Sequence, residues 1–395
     1  SGRPRLDLPV GFSPDGVHVV YSWPRDGRMV NGNELWLAPA NGELGRNLTR
    51  DLGADIDSGL WLADGSGLII PVDKDTRSAL WFQPLDGPAR RLDMRDVNLH
   101  NHFSISENGK LAFIGNEPGR ANEVYVMDSL SSAPRRLTEF NAHVARVTLG
   151  KQEIFRWRVP DNSQVDGVLT YPPWYTPGRP LPVVLLIHGG GLVSTIGFDV
   201  RSQWLASQGW IIFEPNYQGR RRGDGKDVMS GVDLLIQKGV ADPDRMAVSG
   251  WSQGGYMTVM LLGKHPDRWR AGVAGAAVTD HIDQYLFSDI HSNIADDYGG
   301  SPFADARWLK EYRDYAPITY AHRIKAPTLI LHNTGDQRVP ITESYTLYHL
   351  LRYNHVKTKF IAYPLAGHRP VDPIHSRDVN RRWAEWIKEH LEPSK

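Results

Sequence analysis

The sequence predicts two architectures in one chain: an all-β partial β-propeller over residues 1–150, then a doubly wound, mostly parallel α/β sheet over residues 151–395. Three observations predict this. The first part repeats a turn-and-strand unit with a period of about 45 residues, the length of a four-stranded propeller blade. From about residue 150, apolar strand-like runs alternate with helical ones, the pattern of a parallel sheet covered on both faces. Within that second part, a G-x-S-x-G stretch falls where a strand gives way to a helix.

The repeats can be read directly. One unit runs F-S-P-D-G (Phe12–Gly16), N-E-L-W-L (Asn33–Leu37) and N-L-T (Asn47–Thr49). The next runs L-W-L-A-D-G (Leu60–Gly65), A-L-W-F (Ala79–Phe82) and R-R-L (Arg90–Leu92). The third runs F-S-I-S-E-N-G (Phe103–Gly109), N-E-V-Y-V (Asn122–Val126) and R-R-L-T (Arg135–Thr138). Each pairs an Asp/Asn/Gly turn with alternating apolar residues, as half-buried strands require. An antiparallel sandwich with accidental similarity is the alternative. Three blades leave open sheet edges. The chain is therefore expected to be cut from a longer protein, with a missing propeller segment over those edges, or to be covered by a second copy.

In the second part, Glu153–Arg158 and Val165–Tyr171 read as antiparallel strands. Val183–Ile187, Trp210–Phe213, Met246–Val248, Ala271–Val278, Thr328–Leu331 and Lys359–Tyr363 read as further strands. Arg201–Gln208, Asp227–Gln237, Gly255–Leu262 and Val379–Leu391 read as helices.

Composition narrows the function. Lys plus Arg and Asp plus Glu both number 45, so nothing favours nucleic acid or an anionic membrane as partner. The absence of Cys excludes disulfides, thiolate catalysis and Cys-held metal. No run approaches the roughly 20 apolar residues of a membrane span, and no signal peptide is visible. A Cys-free chain tolerates either redox state; a cytoplasmic location is the default expectation, with a secreted form left open. The start Ser1-Gly2-Arg3, without Met, suits a fragment or a processed form. No metal cluster or phosphate loop is legible, and no cofactor is expected.

The chemistry gathers on three residues. Gly250-Trp251-Ser252-Gln253-Gly254 matches the nucleophile elbow, with a strand ending at Ser249 and a helix beginning after Gly254. Small residues flank the Ser because side chains there would strike the adjoining strand or helix. A serine hydroxyl needs a base, and the base an orienting acid, in the order Ser, Asp, His. Among 15 His, His368 is the one in the short loop Y-P-L-A-G-H-R-P that directly follows the last strand, before the closing helix. Asp336 is the only carboxylate in N-T-G-D-Q-R-V-P, after the preceding strand. The backbone N–H of Gln253 would supply one oxyanion donor. The loop His188-Gly189-Gly190-Gly191 would supply the other, from Gly189 or Gly190; each donor is worth roughly 3 kcal/mol. Arg220-Arg221-Arg222 reads as a solvated loop before a carboxylate site, and Asn47-Leu48-Thr49 as blade structure before a glycosylation sequon. Trp251, Tyr256 and Tyr285 are pocket candidates. Glu34, Glu117 and Glu123 are carboxylates that a free-amine substrate would need, though blade structure is the simpler reading.

These motifs resemble the prolyl oligopeptidase family of serine peptidases, in particular its acylaminoacyl-peptidase and dipeptidyl-peptidase-like branch. The resembling stretches are G-W-S-Q-G-G-Y-M-T (Gly250–Thr258), A-D-P-D-R-M-A-V (Ala241–Val248), P-N-Y-Q-G (Pro215–Gly219), A-P-I-T-Y (Ala316–Tyr320), G-D-Q-R-V-P (Gly335–Pro340), G-H-R-P (Gly367–Pro370) and the junction R-R-L-T-E-F-N (Arg135–Asn141). The resemblance implies an α/β-hydrolase domain gated by a propeller, a Ser252–Asp336–His368 triad and cleavage of short peptides. Three features depart from the family pattern. Gly191 stands where Pro is usual, R-R-R-G-D-G-K-D replaces a longer Ser/Gly/Tyr-rich loop, and three blades are legible where about seven are usual. A carboxylesterase with the same triad and a non-catalytic propeller binding protein are the competing readings.

Overall fold

A computed structural model describes residues 8–28, 31–159, 161–190, 192–217 and 223–391. Gly191 and Arg220-Arg221-Arg222 lie outside the described residues, as do Gln218 and Gly219. The chain forms two compact units, Ser1–Thr148 with Thr195–Asp199, and Leu149–Ser194 with Val200–Lys395.

Among the described residues, the first unit holds three four-stranded antiparallel sheets in chain order. The first contains β1 (Leu8–Phe12), β2 (His18–Pro24), β3 (Asn33–Pro39) and β4 (Arg46–Asn47). The second contains β5 (Leu60–Trp61), β6 (Gly67–Lys74), β7 (Arg77–Pro84) and β8 (Arg90–Arg91). The third contains β9 (Asn98–Ile105), β10 (Leu111–Glu117), β11 (Arg120–Met127) and β12 (Arg135–Arg136). β6 explains why the middle blade carries an unbroken apolar run. Leu68, Ile70 and Val72 pack with Val20, Leu35 and Leu37 of the first sheet, whereas Ile69 packs with Leu111, Phe113 and Met127 of the third. Successive residues point to opposite faces, and both faces are covered.

The N-E-x and L-T signatures have a structural cause. Thr49 Oγ1 accepts from the Leu35 N–H (2.9 Å) and Thr138 Oγ1 from the Val124 N–H (2.9 Å), the same bond in the first and third blades. The buried Glu34 accepts from Arg25 (2.6 Å) and Asn47 (2.6 Å). Glu123, also buried, accepts from Thr138 (2.6 Å) and the Phe140 and Asn141 N–H groups. The middle blade lacks both residues, and there the Leu80 N–H meets the Met94 sulfur instead (3.0 Å).

The second unit is built on one mixed sheet. In chain order its elements are β13 (Gln152–Arg158), β14 (Gln164–Thr170), β15 (Leu181–Ile187), α1 (Val200–Ala206), β16 (Ile211–Pro215), α2 (Lys226–Gln237), β17 (Ala241–Trp251) and α3 (Gln253–Lys264). Then follow β18 (Ala271–Gly275), α4 (His281–Phe287), α5 (His291–Tyr298), α6 (Ala306–Asp314), β19 (Thr328–Gly335), α7 (Ile341–Tyr353), β20 (Thr358–Ala366) and α8 (Pro373–Leu391). The strand order is β13-β14-β16-β15-β17-β18-β19-β20, parallel from β16 to β20. Val183, Leu185 and Ile187 of β15 join one core with α2, α3 and α7. Val184 joins the other, with α1 and α8. No helix among the described residues is long and apolar enough to cross a membrane.

Several boundaries differ from those read in the sequence. β18 stops at Gly275 rather than at residue 278, because Ala276 turns to φ 36° while its N–H bonds the Leu331 carbonyl. β17 begins at Ala241, which pairs with Leu181, and α8 begins at Pro373.

Candidate active site

The exchange of β15 and β16 in the sheet order makes a switch point, and open α/β sheets bind ligands beyond the carboxyl ends of their strands at such a point. The loops after β15 and β17 both emerge there. β17 runs to Trp251 and α3 starts at Gln253, so Ser252 alone turns the chain, more sharply than the sequence reading allowed. Its φ 62°, ψ −120° lie in a region that costs an L residue about 1–3 kcal/mol. The Ser252 N–H donates to the Gly275 carbonyl (2.9 Å), and the Ser252 carbonyl accepts from the Tyr256 N–H (2.9 Å). A Cβ on Gly254 would strike the Ile187 carbonyl oxygen and lie 2.8 Å from that of His188.

Asp336 and His368 leave neighbouring parallel strands, β19 and β20. Asp336 Oδ2 lies 2.7 Å from His368 Nδ1, and Oδ1 accepts the N–H groups of Arg338 (2.9 Å) and Val339 (3.1 Å). Burial alone would raise the Asp336 pKa. Hydrogen bonds from His332 and His368, the His368 charge and the Val339 N–H outweigh it and hold the carboxyl well below the usual carboxylate range. A carboxylate only accepts, so the proton of the neutral ring sits on Nδ1 and the basic lone pair on Nε2. That Nε2 is buried and makes no hydrogen bond among the described residues. The Trp251 indole donates to the His368 carbonyl (3.0 Å), tying this loop to the residue before Ser252.

The loop after β15 lies against the elbow. A Cβ at Gly189 would be 3.6 Å from the Trp251 carbonyl oxygen and 3.8 Å from Ser252 Cβ, and one at Gly190 would be 3.6 Å from Gln253 Cβ. Gln253 opens α3, at the positive end of the helix dipole. The His188 ring stacks on Tyr217 (centroids 4.6 Å apart), whose hydroxyl donates to the His188 carbonyl (3.1 Å).

The pocket candidates divide. Tyr256 is fully buried and donates to the Gly223 carbonyl (2.9 Å), so it belongs to the core. Trp251 is committed to His368 and packs over Gly275. Tyr285 borders the Tyr298–Tyr312 cluster of α5 and α6. His332, fully buried beside Asp336, was not singled out in the sequence; a polar residue ending the apolar run of β19 was the available signal.

The chain is similar to known proteins in sequence and in fold. The sequence pattern of the prolyl oligopeptidase family matches residues 196–394, half of the chain. The uncharacterized peptidase YuxL of Bacillus subtilis is 27% identical over 84% of this chain and 53% of its own length. The acylamino-acid-releasing enzyme of Arabidopsis thaliana is 30% identical over 49% of this chain and 28% of its own length. Dipeptidyl-peptidase 5 of Porphyromonas gingivalis is 23% identical over 96% and 58%. The chain thus spans about half the length, or less, of these curated relatives. Among solved structures, Pyrococcus horikoshii acylaminoacyl peptidase superimposes with a TM-score of 0.82 at 21% identity, covering 96% of this chain and 63% of that one. A Mycobacterium tuberculosis puromycin-hydrolyzing peptidase gives 0.74 at 17% identity, covering 98% and 70%. These structural likenesses show the fold, a β-propeller-type region followed by an α/β hydrolase. The family match shows the lineage: the chain belongs to the prolyl oligopeptidase family.

Proposed function

We propose that the protein is a serine peptidase that cleaves short peptides through an acyl-enzyme on Ser252. The observation that carries the reading is the 2.7 Å bond between Asp336 and His368 Nδ1, on a loop that Trp251 ties to the Ser252 elbow. In this mechanism His368 Nε2 takes the proton of Ser252 Oγ as the oxygen attacks the scissile carbonyl. The developing oxyanion is met by N–H groups of Gln253 and of Gly189 or Gly190. His368 then protonates the leaving amine, and water, activated by the same ring, releases the acyl group. Asp336 stays ionised throughout and stabilises the imidazolium.

The acylaminoacyl type is taken first because two of the three candidate amine-holding carboxylates, Glu34 and Glu123, are buried and occupied. Glu34 and Glu123 are spent on bonds within their own blades, and Glu117 accepts from the Tyr125 hydroxyl (2.8 Å). The names of the relatives include both types. An esterase reading draws on the same triad and on the His188-Gly189-Gly190-Gly191 sequence. The test compares an acetylated amino-acid anilide, a free-amine dipeptide anilide and a nitrophenyl ester, with Ser252→Ala as control. Turnover of the acetylated anilide, lost in S252A, is expected. Ester turnover without either anilide would replace the peptidase reading with the esterase one.

A further inference from the structure

We propose that His332 is a positioning residue for the acid of the triad, acting on Asp336 through the oxygen that His368 also uses. The inference rests on the Ser252–Asp336–His368 reading above. His332 ends the apolar run of β19, four residues before Asp336, and its side chain is wholly buried. Its Nε2 lies 3.2 Å from Asp336 Oδ2 and 2.9 Å from the Val339 carbonyl oxygen. Both partners are acceptors, so Nε2 carries a hydrogen. Its Nδ1 lies 2.6 Å from Ser344 Oγ on α7. In the neutral ring that nitrogen accepts a hydrogen bond from the Ser344 hydroxyl, which fixes both the tautomer and the plane of the imidazole.

The consequence follows from a shared atom. Oδ1 of Asp336 is held by two backbone N–H groups, and Oδ2 by two imidazoles. The carboxylate is pinned at both ends and cannot rotate away from His368. His332 also takes part of the Oδ2 charge and competes with His368 for it. Two other ionisable groups nearby are already committed. The Arg338 guanidinium turns to Asp289 (2.7 Å), and the Glu343 carboxyl of α7 accepts from the Thr279 and Asp280 N–H groups.

Removing the His332 donor therefore does two separable things. The carboxylate loosens, which slows activation of Ser252 by about ten- to a hundredfold, the worth of one charge-assisted hydrogen bond. More of the Oδ2 charge falls on His368, which favours its protonated form, so the acid limb of reactivity moves to higher pH.

The experiment measures the rate at which a fluorophosphonate labels Ser252, as a function of pH, beside the melting temperature. Gln at 332 places an amide donor where Nε2 stood; Asn is too short to reach Asp336. H332Q is expected to keep the wild-type acid limb and lose less than about tenfold in rate, whereas H332N loses more and shifts the limb upward. H332M, which fills the space without a donor, takes the place of H332N if that variant does not fold. A role in packing alone would lower the melting temperature of all three, with the limb unmoved; that result overturns the proposal. No labelling of Ser252 in the wild type would overturn the triad reading and this proposal together. Wild-type labelling with unaltered H332N or H332M would overturn this proposal alone.

Discussion

Gly254→Ala is the sharpest structural perturbation of the elbow. The added Cβ would lie 2.8 Å from the His188 carbonyl oxygen, and the Ile187 carbonyl oxygen is nearer still. Ordinary contact begins at 3.4 Å, so the His188 carbonyl would have to retreat by at least 0.6 Å (3.4 − 2.8). Neither oxygen is the tip of a flexible side chain. Ile187 is paired with Gly250 in the sheet, and His188 leads into the Gly189–Gly190 loop. Overpacking costs about 1–3 kcal/mol, and a backbone obstacle argues for the upper end. At about 2–4 °C per kcal/mol for a domain of this size, the melting temperature of the second unit should fall by about 6–12 °C. The same displacement moves the candidate oxyanion loop relative to Ser252, and a misplacement near 1 Å costs about a hundredfold in rate. Gly189→Ala is the matched control, since its Cβ would meet nothing closer than 3.6 Å; its stability should stay within about 0.5 kcal/mol of wild type. Thermal unfolding followed by tryptophan fluorescence, with the labelling rate of Ser252 on the same samples, reads both effects. A G254A protein that melts within 2 °C of wild type (roughly 1 kcal/mol or less) and reacts normally would refute the crowding argument.

Asp336→Asn should lower kcat by about 10⁴-fold with little change in KM, because the amide no longer dictates which His368 nitrogen carries the proton; steady-state kinetics on the turned-over anilide checks it. Burial pushes the Glu343 pKa up to about 8, so the folded protein holds a proton that the unfolded chain releases above its ordinary value of 4.5. The stability this confers is full below pH 4.5 and is lost as pH rises towards 8. Glu343→Gln should therefore melt higher than wild type at pH 8 and show no gain at pH 4.5, measured by paired thermal melts. Thr138→Val strips a partner from the Val124 N–H and from Glu123, and should destabilise the first unit by about 1–3 kcal/mol, read from chemical denaturation.

The legible parts of this protein are those whose causes are local. The elbow shows in the sequence because a sharp turn with backbone on both sides admits only glycine at positions such as 254. Asp336 and His368, which the structure joins by a hydrogen bond, are candidates that chain order and loop position already suggest. The first and third blades were legible through N-E-x and L-T, whose side chains bond within the same blade. Features that depend on distant partners were not legible. His332 looks like any core histidine until Asp336 and Ser344 are placed around it. Thr195–Asp199 joins the first unit through bonds such as the Ile196 N–H to the Thr76 carbonyl (2.9 Å), which no local pattern announces. The short helices α4, α5 and α6 were missed because their mixed faces close around an aromatic cluster, Tyr298 on Tyr312, and carry no long apolar stripe.

The most direct test of the central claim is to treat the wild type, S252A and His368→Ala with a fluorophosphonate and map the adduct by mass spectrometry. One adduct on Ser252 in the wild type, none in S252A and a strongly slowed reaction in H368A is the predicted result. An adduct on another residue, or equal labelling of wild type and S252A, would contradict the assignment of Ser252 as the nucleophile.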